Sequence, residues 1–214
     1  MAMKMKQNSE IPTAEEAGQS MPPTPPSTGR AGGTCFCTKE GIDFKPILIS
    51  KYVINVLVYS HPQPSPWMLS LDYCPPYQEN KREFWEDFRK HLDSFADPWI
   101  EIRDFNCIVM GDEKQGGHPF QATSSTGLDY IIDLLGLVDL GFFGNKHTWM
   151  NKRIGAANIR ERLDRAISNI NWRLLFPKAS VLHLPAVSSD HNPLLLNTSG
   201  ERYRKPKLFK FEEM

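Results

Sequence analysis

The run PWIEIRDFN starts at Pro98 like a buried strand and closes on Asp104-Phe105-Asn106. An Asp offers a hard oxygen ligand or a proton acceptor. An Asn two residues on lies on the same side of an extended chain and carries both amide donors and a carbonyl acceptor. Such a pair can hold a water for attack on a phosphate, and the same residues can also close a strand with an Asx turn. Ser189-Asp190-His191 is the second group. Its His can protonate, donate to a developing oxyanion or be oriented by a carboxylate; a plain loop would use the same letters. The third is RERLDR, Arg160 to Arg165, where Asp164 stands between Leu163 and Arg165. It reads either as a solvated charge run or as an Asp placed to orient a His. The fourth is Tyr73, before a Pro-Pro loop, a phosphate donor or an ordinary half-buried aromatic.

No Walker-type glycine loop, nucleophile elbow or His-rich metal motif accompanies them. An inventory of Asp, Asn, His and Tyr suits metal-assisted attack of water on a phosphodiester or phosphomonoester. The chain has 214 residues with 25 basic and 25 acidic side chains, so its formal charge is zero. A neutral chain is no generic polyanion binder, and nucleic-acid binding then needs a local basic face. Lys146, Lys152, Arg153, Arg160, Arg162, Arg165 and Arg173 crowd one stretch and could track phosphates or simply be solvated. Four cysteines are too few for a disulfide scaffold, and Cys35-x-Cys37 lacks the second pair of a zinc site. With no signal-like or membrane-length apolar segment, nucleus or cytoplasm is the expected location.

These groups need elements to hold them. FKPILIS, YVINVLVYS and PWMLSLDY read as strands. NKREFWEDFRKHLDSF reads as a helix with Asn80 as N-cap and Phe84, Trp85, Phe88, Leu92 and Phe95 at helical spacing. SSTGLDYIIDLLGL is a second helix ending at Gly136, HTWMN a short strand, and RERLDRAIS ambiguous between helix and strand. NINWRLLFP is a short helix, and the strands SVLHLP and PLLLN bracket Asp190-His191. Interleaved strands and helices without a repeat predict a layered α/β or α+β domain. The expected division is a Pro-rich tail over 1–31, a domain over 32–200 and a linker over 201–214.

In this order the groups resemble the endonuclease domain of plant non-LTR (LINE-type) retrotransposons, in the endonuclease/exonuclease/phosphatase superfamily with DNase I and the apurinic endonucleases. YCPPYQENKREFWEDF, PWIEIRDFN, GLVDLGFFGNKHTWMNKR, IRERLDRAISNINWRLLFPKASVLHLP, SSDHNPLLL and KLFKFEEM carry the resemblance. It implies an α+β fold, a DNase I-like two-sheet sandwich with helices on both outer faces. Asp104 and Asn106 resemble the pair that positions the attacking water and the scissile phosphate. Asp190 and His191 resemble the closing Asp-His, with Asp190 a metal ligand and His191 on the phosphate. Asp164 resembles the carboxylate that orients this His, and Tyr73 the phosphate-contacting Tyr. Thr148 and Arg162 are the expected substrate-binding residues, with Thr148 on a strand near the DNA-facing surface. The implied cofactor is Mg²⁺ or Mn²⁺, the implied partner DNA, and the implied reaction strand nicking to prime a reverse transcriptase that follows in an intact element.

That family opens with a strand carrying an Asn and another ending in a Gln-Glu-Thr-like motif, whose Glu is the principal metal ligand. Here the segment from Ala31 resembles the part that comes after them. The expectation is therefore an N-terminally truncated domain with impaired metal binding and weak or no activity, or a non-catalytic nucleic-acid-binding remnant. A phosphatase of the same fold is the third reading. In PWIEIRDFN, Ile100, Ile102 and Asp104 alternate with Trp99, Glu101 and Arg103. Two charges on the packing face should pair with each other or reach solvent, and Arg103→Gly is expected to raise stability.

Overall fold

The structure is a computed structural model, and it describes residues 42–49, 53–59, 65–72, 74, 84–86, 88–90, 92, 96–120 and 127–200. The expected tail over 1–31, Cys35, Cys37, Tyr73 and the segment 201–214 lie outside the described residues.

Three β-rich runs give the first strands, β1 (Asp43–Ile49), β2 (Val53–Tyr59) and β3 (Trp67–Asp72). They pair antiparallel in sequence. β3 then pairs parallel with β4 (Trp99–Asp104). A parallel step needs a long crossover, and the helical residues 84–86 and 88–90 lie within it. After β4 come β5 (Lys114–Gln115), β6 (Val138–Asp139), β7 (Phe143–Gly144), β8 (Trp149–Met150), β9 (Arg160–Glu161) and β10 (Asp164–Ser168). The chain ends its regular structure with β11 (Ser180–His183) and β12 (Leu194–Asn197). The ambiguous RERLDRAIS is thus strand, because β10 fits between β4 and β6 in the sheet β1-β2-β3-β4-β10-β6. A second sheet runs β12-β11-β7 and a third β5-β9-β8.

The two larger sheets face each other. Ile54, Val56, Leu69, Ile100, Ile102 and Ala166 of the first close on Val181, Leu194 and Leu196 of the second. Trp172 and Phe176, at the end of the helix Ile170–Leu175, complete this core against Trp67. Met68, Trp99 and Ile167 point to the opposite face of the large sheet, where they meet Trp85, Phe88, Leu128 and Ile131. β4 therefore has a core on each side, and all six of its residues are buried. The helix cover differs from expectation. The helical residues 84–86, 88–90 and 92 and the helix Leu128–Leu134 cover the outer face of the large sheet. On β11 and β12, Leu182 and Leu195 alternate with the inward residues and join neither core, and no described helix packs on them.

The smallest sheet braces a hairpin. β8 and β9 pair antiparallel, and β5 joins β9 through Lys114↔Glu161 and Gln115↔Arg160. The chain beyond β5 is pressed against the hairpin so closely that a Cβ on Gly116 would lie 2.1 Å from the Asn158 carbonyl oxygen, at a φ of +81°. Only glycine fits there.

Candidate active site at the ends of β4 and β10

β4 and β10 are antiparallel neighbours in a register that sets Asp104 directly opposite Asp164. The chain reaches His191 from the other sheet, just before β12, and an isolated bridge Trp149↔His191 ties this loop to β8. The three side chains meet. His191 Nδ1 lies 2.9 Å from Asp164 Oδ2, and His191 Nε2 lies 3.8 Å from Asp104 Oδ2. All three residues are buried, and ligand atoms of the three lie within 4.8 Å of one another.

Burial makes the charges interact strongly. It first pushes the Asp104 carboxyl up, and the neighbouring Asp164 charge pushes it further, to about 6, against His191, the Asn106 amide and Arg103. For His191 burial pulls the other way. The hydrogen bond and charge of Asp164 outweigh it, with help from Asp104 and Asp190, and raise the imidazole to about 9. An imidazolium held between two carboxylates is the result.

The loop that follows β4 differs from the extended pair expected of Asp-x-Asn. Asn106 has φ +49° and donates its backbone N–H to Asp104 Oδ1 at 2.8 Å, an Asx turn. Asn tolerates this left-handed conformation because its short side chain bonds locally. Here the amide donates to the Cys74 carbonyl at 3.0 Å. Asn106 thus pins the end of β4 to Cys74, two residues past β3, and one Asp104 oxygen is taken by the turn. The other, Oδ2, is buried with no hydrogen-bond partner and faces His191.

Asp190 stands beside the group rather than in it. Its Oδ2 accepts the Trp149 indole N–H at 3.0 Å, and the clustered acids and imidazole are Asp104, Asp164 and His191. The two expected substrate residues are both buried. Thr148 is fully buried, and its hydroxyl accepts the backbone N–H groups of Leu163 and Asp164 at 3.0 and 2.9 Å. Its own carbonyl accepts the Asn192 N–H at 2.7 Å. Thr148 therefore fixes Asp164 and the His191 loop from inside. Arg162 is also buried, bonded to Glu113 and Asp139 and stacked on the Phe142 ring at 4.9 Å.

The basic stretch divides accordingly. Arg165 joins Arg162 in the buried network, Arg173 donates to the Ala179 carbonyl, and Lys146 pairs with Asp112. Lys152, Arg153 and Arg160 are exposed on the β8–β9 hairpin. The hairpin abuts the site, since Met150 donates its N–H to the Asp190 carbonyl and Lys152 Nζ reaches the Ser188 carbonyl at 2.9 Å. Its loop is held by Asn151 and Asn158, whose amides bond the backbone of Arg153, Ala157 and Ile159.

Glu113 supports the site without any motif of its own. Glu113 had one legible signal: the arginines on both sides of Asp164 need acids somewhere in the fold if that strand is buried.

The two-sheet sandwich is a DNase I-like fold. The endonuclease domain of TRAS1, a telomere-specific non-LTR retrotransposon, superposes with a TM-score of 0.61 at 16% identity, over 81% of this chain and 77% of that one. An endonuclease/exonuclease/phosphatase family protein from Leptotrichia buccalis gives 0.41 at 14% identity, over 74% of this chain and 61% of that one. D. rerio TDP2, solved with a single-strand DNA product, gives 0.41 at 12% identity, over 71% and 65%. No protein-family model and no curated protein sequence matches the chain.

Proposed function

We propose that the chain is a metal-dependent phosphodiesterase of the retrotransposon-endonuclease type that nicks one strand of DNA, with weak activity. The observation that carries this reading is the buried Asp104–His191–Asp164 group on a fold like that of the TRAS1 endonuclease domain. His191, charged and oriented by Asp164, is the donor for a phosphate oxygen as negative charge develops on it. Asp104, on the other side, is the acceptor that orients an attacking water, with Asn106 locking the turn that aims it.

The donor set fits a hard cation in part. Asp104 Oδ2 is a buried carboxylate oxygen with no hydrogen-bond partner, and its raised affinity for a proton marks a place where positive charge is favoured. Asp164 already serves His191, and a protonated imidazole is no ligand. Asp104 would hold Mg²⁺ or Mn²⁺ as the principal ligand, and a single carboxylate not engaged with the imidazole through a hydrogen bond supports weak retention. When bound, the ion supplies Lewis-acid stabilisation of the phosphoryl oxygens.

DNA is favoured over a small phosphomonoester by the hairpin. Lys152, Arg153 and Arg160 form an exposed basic rim on an ordered loop beside His191, and such residues track a polyanion backbone. The test is nicking of supercoiled plasmid with Mg²⁺, against EDTA and against His191→Ala. Metal-dependent nicking lost in His191→Ala is the expected result. Salt-sensitive binding without nicking would replace this reading by a non-catalytic DNA-binding one, and turnover of phosphomonoesters alone by a phosphatase one.

A further inference from the structure

One group of charges that the site does not use directly joins the buried Glu113, Arg162 and Arg165 to the half-buried Asp139. Glu113 ends the 3-10 turn Gly111–Glu113, in the same loop that leaves β4 after Asp104. Its carboxylate closes that loop on itself, accepting the N–H groups of Val109 at 2.7 Å and Met110 at 3.3 Å. The same carboxylate accepts Arg162 Nη1 and Arg165 Nη1, both at 2.9 Å, and bonds Arg165 Nη2 through its second oxygen. The Glu113 carbonyl accepts the Arg162 backbone N–H at 3.0 Å. Asp139 on β6 bonds both arginines from the far side, at 2.8 to 3.0 Å.

Arg162 and Arg165 bracket Asp164. A single side chain therefore fixes both the loop that continues from Asp104 and the strand that carries Asp164. A purely cohesive ion pair would serve stability equally well anywhere in the core. This one spans the two segments whose separation sets the Asp104–His191–Asp164 geometry.

We propose that Glu113 is a positioning residue for the Asp164–His191 pair, and this rests on the hydrolytic reading above. It acts through Arg162 and Arg165, holding the start of β10 against the loop after β4 so that Asp164 Oδ2 faces His191 Nδ1. Glu113 stays ionised under all ordinary conditions: burial alone would raise its carboxyl, but the Arg165 hydrogen bond and charge, with Val109 and Arg162, hold it down at about 2. Glu113→Gln keeps the shape and one acceptor while removing the charge that grips the two guanidinium groups.

The test has two readouts. The first is the downfield proton resonance of the His191 Nδ1–H bonded to Asp164, identified by its loss in His191→Ala, and it needs no turnover. Glu113→Gln is expected to shift or broaden it while near-ultraviolet circular dichroism shows a folded core, and Glu113→Asp, which restores the charge, is expected to recover it in part. The second is nicking, where Glu113→Gln should lower kcat by about 10- to 100-fold, as loss of outer-shell support does at other sites, with KM little changed. If Glu113→Gln does not fold, Arg165→Lys takes its place, keeping charge but losing the two-pronged grip. An unshifted resonance in a folded variant overturns the proposal, whatever the melting temperature does. So does a wild type without the resonance, or failure of both variants to fold, which would make the quartet a core brace. Absence of nicking in the wild type with a shifted resonance in Glu113→Gln overturns the hydrolytic reading alone and leaves the positioning geometry confirmed.

Discussion

At pH 7 the His191 imidazole is protonated and the Asp104 carboxyl largely ionised, because one titrates at about 9 and the other at about 6. The charged state of both groups exists in the window between these values. A donor that must be protonated and an acceptor that must be ionised give a bell-shaped dependence of rate on pH. Nicking is expected to rise with pH as Asp104 loses its proton, at or below about 6 because a cation competes for the same oxygen, and to fall through about 9, as His191 loses its own. Asp164→Asn separates the two limbs. Burial lowers the affinity of His191 for a proton, and Asp164 is what overcomes it. In Asp164→Asn the alkaline limb should therefore move to lower pH by at least a unit, on the order of the loss of one close carboxylate. A pH–rate profile in which that limb stays fixed would show that His191 is not the group titrating there.

At the scale of the element, β4 carries the sharpest lesson about alternation. Ile100 and Ile102 enter the core between the sheets, while Trp99 enters the one beneath the helices. The two charges on the latter face do pair: Arg103 Nε lies 2.8 Å from Glu101 Oε1, and both side chains are wholly buried. The guanidinium is also ringed by aromatics, 4.3 Å from the Phe105 centroid, 4.6 Å from Phe84 and 5.1 Å from Phe88. This overturns the expectation that Arg103→Gly stabilises the fold. Glycine would take the Arg103 cation from the buried Glu101 carboxylate, remove the ring contacts and open a cavity. Breaking a buried pair costs about 3–5 kcal/mol, so a marked fall in melting temperature is expected. The double change Glu101→Val with Arg103→Met removes both charges and keeps the volume. It should recover most of that loss, since apolar replacement of a buried pair is often neutral or better. A double variant as unstable as Arg103→Gly would place the stabilisation in the ring contacts instead.

For the whole molecule, the sequence was most legible where one local pattern decides the structure. Short apolar runs bounded by turn residues marked β2, β3, β11 and β12, and the motif order placed Asp104, Asp164 and His191 at one site. Long-range partners were not legible. RERLDRAIS became strand only because β4 and β6 wait on either side of it. Val138–Asp139 and Phe143–Gly144 are too short to show a period. Thr148 and Arg162 looked like surface residues in a polar stretch, yet they face inward, because their partners lie in segments distant along the chain. Burial of charge is a property of the assembled fold, and a charge run carries no mark of which members will find an acid.

One bond at the site also makes the molecule its own optical reporter. Four of the five tryptophans, Trp67, Trp85, Trp99 and Trp172, are sealed in the cores. Trp149 is half-buried, and its indole N–H is held by the Asp190 carboxylate next to His191. Any ligand that draws Asp190 away breaks that bond and changes the surroundings of the one indole near solvent. Titration with Mg²⁺ or with a short DNA duplex should shift the red-edge emission of the wild type and leave Trp149→Phe silent. A shift that persists in Trp149→Phe would locate the change in the core rather than at the site. The same indole would then time the arrival of each ligand in a stopped-flow trace, without a label.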